Sequence, residues 1–143
     1  MKLNALLSIR GQQTYPGQDP DVIELVTDGI IEECSDGCWN LSYQESDLTG
    51  LDGVTTTFRI EPGKVTLTRQ GRLHSQMIFQ EGMRHESLYQ MEFGALMMAV
   101  CANKVEYYLS DEGGTVDLKY TIEIEQSLAG TVDYHLDVKV KEE

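Results

Sequence analysis

Between Trp39 and Gly82 the chain reads WNLSYQES, DLTGLDG, VTTTFRI, EPGK, VTLTR, QGRL, HSQMIFQ and EG: four alternating runs of apolar and polar residues, divided by glycine-bearing turns. Successive side chains on a strand point to opposite faces, so each run sorts by parity. Trp39, Leu41, Tyr43 and Glu45 share one face. Val54, Thr56, Phe58 and Ile60 share another, and so do Val65, Leu67 and Arg69. Short amphipathic strands joined by tight turns are the signature of an antiparallel meander.

Two of these apolar faces end in a charge, Glu45 and Arg69. A lone buried charge is very costly, whereas a paired and hydrogen-bonded one is tolerable. One reading is therefore that Glu45 and Arg69 meet inside the fold, near Tyr43. The other is that both lie at strand ends, reach solvent and never meet.

The rest of the chain continues the pattern. Leu3, Ala5, Leu7 and Ile9 alternate with polar residues in a first strand reaching about Gln13. Tyr15–Pro20 is a loop, since proline and glycine punctuate it. Asp21–Ser35 is a second extended run in which Asp28-Gly29 precedes two adjacent apolar residues, Ile30 and Ile31, and a bulge or bend is expected there. Asp36-Gly37 suits a hairpin turn, and Gly50–Gly53 another. Met83–Met91 and Lys104–Ser110 read as strands; Phe93–Ala102 is read as a strand in spite of its helix formers. Val116–Ile124 and Val132–Val140 are the cleanest alternations.

About ten strands in sequence order predict one domain over residues 1–143. So many strands do not stay flat with two open edges, and an all-β, up-and-down antiparallel barrel of eight to ten strands is expected, ahead of a two-sheet sandwich. A barrel of that size holds side chains and at most a small ligand.

The net charge is −13, from 24 acidic and 11 basic residues. Such a surface repels phosphate backbones and anionic lipid, so no nucleic acid or membrane partner is expected. MKLNALLSIR lacks the apolar core and small-residue cleavage site of a secretory signal, which predicts a cytoplasmic protein. Cys34, Cys38 and Cys101 are then expected as reduced thiols.

The ordered series Tyr43-x-Glu45, Gly50-Leu51-x-Gly53, Thr55-Thr56-Thr57, Val65-x-Leu67-x-Arg69-x-Gly71 and Gln76-Met77-x-Phe79 resembles the YwiB-like family of uncharacterised bacterial β-barrel proteins. Phe93-Gly94 and the Val116–Ile124 pattern fit as well, so the resemblance spans nearly the whole chain. It implies a calycin-like, lipocalin-like barrel. It implies no activity and no catalytic residue. The chain departs from the pattern in having Glu92-Phe93 before Gly94, where the family has Thr-Pro.

Chemical signatures are sparse. Cys34-x-x-x-Cys38 is at best half a metal site, and no metal or cofactor is expected. No G-x-S-x-G elbow or paired nucleophile and base is visible, so no catalytic residue is assigned and an enzyme is the weakest reading. His135 lies between Asp133 and Asp137 on a polar face, where a solvated charge stripe explains it. The inward set points instead to a cavity binding a small apolar molecule: Trp39, Tyr43, Glu45, Phe58, Arg69, Met77, Phe79, Tyr89 and Tyr120 are the candidate ligand contacts. The alternative is a filled barrel serving as a structural or protein-interaction module, with a homo-oligomer as one form. Interior volume discriminates the two.

Overall fold

The structure, a computed structural model, describes residues 2–15, 17–35, 37–45, 53–71, 74–91 and 94–141, with the backbone alone for residues 89 and 91. Ten strands follow one another: β1 (Lys2–Thr14), β2 (Asp21–Ser35), β3 (Cys38–Gln44), β4 (Thr55–Glu61), β5 (Lys64–Gln70), β6 (Ser75–Gln80), β7 (Arg84–Met91), β8 (Gly94–Ser110), β9 (Gly113–Ile124) and β10 (Ser127–Val140). Every pairing is antiparallel, and the strand order is β6-β5-β4-β3-β2-β1-β10-β9-β8-β7. The first and last strands pair from Ala5↔Val140 to Thr14↔Thr131. Strands β6 and β7 close the ring more loosely, through the bridge His74↔Gln90, whose two backbone hydrogen bonds measure 3.1 and 2.9 Å. The result is a nearly closed barrel.

Alternation fixes what lies inside. Across β3, β4, β5 and β6 the register stacks three inward rows. Trp39, Ile60, Val65 and Phe79 form the first. Leu41, Phe58, Leu67 and Met77 form the second. Tyr43, Thr56, Arg69 and Ser75 form the third. The first two rows are apolar and buried throughout. Leu7, Ile31, Val100, Val116 and Leu136 from the remaining strands complete this core. One end of the barrel is therefore packed solid, and polarity enters at the third row.

Two expectations need correction. No bulge occurs at Gly29: β1 and β2 pair without a register shift from Lys2↔Glu32 to Gln13↔Asp21. Ile31 points inward and Ile30 outward, so the adjacent pair obeys the ordinary alternation. Glycine is needed there for space, because a Cβ would lie 2.6 Å from Leu7 Cδ1 and 2.7 Å from the Ser42 carbonyl oxygen. The register shift falls instead between Glu33 and Ser35. Secondly, Cys34 and Cys38 form a disulfide across the β2–β3 hairpin, where reduced thiols were expected. The hairpin brings their Cα atoms to 5.5 Å, well within bridging range. Cys101 is free.

The segment read as Phe93–Ala102 is a strand from Gly94 onward, continuous with the next run through a shift between Ala102 and Lys104. Phe93 and most of the Gly50–Gly53 connection lie outside the described residues.

Candidate ligand-binding site

Above the second row the barrel is hollow. A cavity of about 320 Å³ opens there. Met77, Met98, Ile9 and Leu25 make apolar walls, with Ile122 and Val132 beside them. Gln13, Tyr15, Asp21 and Ile23 line it where β1 hands over to β2, and Ile23 is 55% exposed, which marks the mouth. Gly11 faces Tyr134 across the β1–β10 ladder, leaving that ring space beside the cavity.

One wall is polar. Glu45 Oε2 lies 3.9 Å from Arg69 Nε, and the two side chains are 1% and 21% exposed. The charges foreseen on apolar faces thus meet beside Tyr43. Thr56 Oγ1 donates to Glu45 Oε2 at 2.5 Å. Tyr43 and Tyr134 stand beside the pair, near enough for Glu45 to act on the Tyr43 hydroxyl. The Thr56 hydrogen bond and the Arg69 ion pair help to make the burial of the carboxylate tolerable. Burial, and then the Glu45 charge, push the Tyr43 hydroxyl well above its usual pKa. Burial raises Tyr134 strongly as well, and raises Tyr120 to about 12, with the Arg69 charge pulling the other way in both. All three phenols are neutral at physiological pH.

Arg69 also borders a second, more open hollow of about 250 Å³, at the seam where β6 approaches β7. Ser75, His74 and Gln90 line that groove. Arg69 Nε and Ser75 Oγ are buried without a hydrogen-bond partner, and the two residues sit opposite each other on β5 and β6.

Of the candidate contacts, Tyr43, Glu45, Arg69, Met77 and Tyr120 line the cavity. Trp39, Phe58 and Phe79 do not. They belong to the packed rows, with the Phe79 ring tilted against Tyr120 at 4.5 Å between centroids and Phe58 at 5.7 Å from Tyr134. Parity puts a residue inside but leaves its height along the barrel open, so filler and lining looked alike. The Tyr89 side chain lies outside the described residues. Tyr134, Gly11 and Gln13 were missed, although Tyr134 stood on the inward parity of its strand.

The sequence matches the domain of unknown function DUF1934 over residues 7–136. The chain belongs to that family. It is 25% identical over 104 residues to the uncharacterized beta-barrel protein YwiB of Bacillus subtilis (strain 168), a match covering 73% of this chain and 71% of that protein. The crystal structure of the ywiB protein from Bacillus subtilis superimposes with a TM-score of 0.87 at 20% identity, over 99% of this chain and 94% of that one. The DUF1934 barrel is thus shared, and its function is not established by these relatives.

Proposed function

We propose that the chain is a cytoplasmic, non-enzymatic binding protein for a small, mainly apolar molecule, which it holds in the hollow half of its barrel beside Glu45 and Arg69. The cavity carries this reading. At about 320 Å³ it reaches the range of small-molecule sites, roughly 300–1,000 Å³, and its walls are apolar and aromatic with few polar groups. A merely filled core would leave no such space. The disulfide bears on the compartment and not on the site, since a reducing cytoplasm would hold Cys34 and Cys38 open.

Native mass spectrometry of freshly purified protein, followed by the same under denaturing conditions, tests this. A reproducible extra mass released on unfolding supports it. A bare mass, together with no uptake of apolar probes, overturns it.

A second reading has its own observation. Leu6, Val26 and Ile30 stand 36–63% exposed on the outer face of β1 and β2, close together in the ladder. A self-associating or protein-binding barrel would use that face, and a dimer peak in the same spectrum would favour it.

A further inference from the structure

We infer that the guest of this cavity is uncharged and carries a carbonyl-type hydrogen-bond acceptor, which Arg69 recognises. The inference deepens the binding reading above and rests on it.

Charge decides the first half. The described side chains around the cavity that bear a formal charge are Asp21, Glu45 and Arg69. They sum to one negative charge, within a chain of net charge −13. An anionic guest would shed its hydration only to enter a surround of its own sign. A cationic guest at the polar wall would meet the Arg69 guanidinium. An uncharged guest incurs neither cost.

Hydrogen-bonding capacity decides the second half. A guanidinium offers five N–H donors and no acceptor. The 3.9 Å between Arg69 Nε and Glu45 Oε2 is an ion-pair distance, too long for a hydrogen bond. That Nε is buried without a hydrogen-bond partner, and the exposed part of the Arg69 side chain borders the cavity. What the wall lacks is an acceptor. A ketone, aldehyde, ester or amide carbonyl brings two lone pairs and no charge, and so completes it. Size follows by proportion. A dry 150 Å³ cavity takes benzene, so about 320 Å³ suits a guest of about a dozen non-hydrogen atoms.

The test uses three probes of one shape, para-butylacetophenone, para-butylbenzoate and para-butylethylbenzene, in equilibrium dialysis against the wild-type protein and Arg69→Lys. Lysine keeps the positive charge beside Glu45 but lacks the planar fork of donors. The wild type is expected to bind the ketone about tenfold more tightly than the hydrocarbon, and the carboxylate weakest of the three. In Arg69→Lys the ketone's advantage over the hydrocarbon is expected to fall to about threefold or less. The NMR signals of the Arg69 guanidinium N–H groups in the wild type should shift with the ketone and not with the hydrocarbon, which keeps the test independent of the variant's folding. A carboxylate that binds tightest overturns the inference. So does a ketone no better than the hydrocarbon, or a preference that survives Arg69→Lys; the binding reading stands in those cases. If none of the three binds, both readings fall.

Discussion

Thr56 Oγ1 donates a 2.5 Å hydrogen bond to Glu45 Oε2 inside the barrel. The donor is fully buried, so no water replaces it when it is removed. Thr56→Val keeps the shape and deletes the bond, and should cost about 1–3 kcal/mol by urea denaturation. Thr57→Val, one residue along on the opposite face, serves as the control and should stay within about 0.5 kcal/mol.

Removing the cation should cost more. Arg69→Met leaves the Glu45 carboxylate, 1% exposed, without the guanidinium beside it. The expected loss is about 3 kcal/mol or more. Adding Glu45→Gln should recover part of that loss, so the double variant falls short of the sum of the singles. A loss under about 0.5 kcal/mol for Arg69→Met would mark both groups as solvated.

The two strand glycines should respond differently to alanine. Gly29→Ala forces a methyl against Leu7 Cδ1 and the Ser42 carbonyl, and should destabilise by about 1–3 kcal/mol. Gly11→Ala meets Tyr134 Cδ2 at an ordinary 3.8 Å. It should leave the thermal midpoint nearly unchanged while narrowing the cavity and weakening whatever the cavity binds.

Alkaline titration should divide the seven tyrosines. Tyr120 is held to about 12 by burial, and Tyr43 and Tyr134 are pushed up as well. A folded pKa above the unfolded one gives stability that is complete below about pH 10 and is lost as pH rises through the folded value. Late tyrosinate absorbance should therefore appear together with unfolding, followed by circular dichroism. Full ionisation of all seven with the barrel intact would contradict this.

On the outer surface, His135 Nδ1 lies 2.6 Å from Asp117 Oδ1 and Nε2 lies 3.1 Å from Asp137 Oδ2. The hydrogen bond that the His135 ring donates to the Asp117 carboxylate is the main cause that raises the histidine pKa. Its stabilising contribution is therefore present below the unfolded value of about 6.5 and fades as pH climbs through the folded one. An NMR titration should place His135 above about 6.5, and Asp117→Asn should bring it down.

Much of this was legible in the chain. Alternation carried the strand count and the inward faces, because a period of two is a local property. It also exposed Glu45 and Arg69 as charges on apolar faces. Neighbours across strands were out of its reach. The main partner of His135 is Asp117, its register partner on β9, rather than Asp133, which lies 4.0 Å from Lys119. The Cys34–Cys38 bridge was missed for a different reason: compartment arguments weigh redox setting, while the hairpin supplies the geometry. Trp39 and Tyr43 share a parity, and only the stacking of rows separates plug from cavity wall.

The strand order has a consequence for how the molecule is made. β1 and β10, the two ends of the strand succession, lie side by side in the middle of the sheet. A ribosome releases β1 to β6 as one succession of hairpins and β7 to β10 as another. Each succession zips up between neighbours, and the two fuse only when the C-terminal strand reaches the N-terminal one. The long ladder of the cylinder is thus the one made late, between β10 and β1, while at β6 and β7, where the backbone already runs on through a short turn, the bridge His74↔Gln90 joins the described residues.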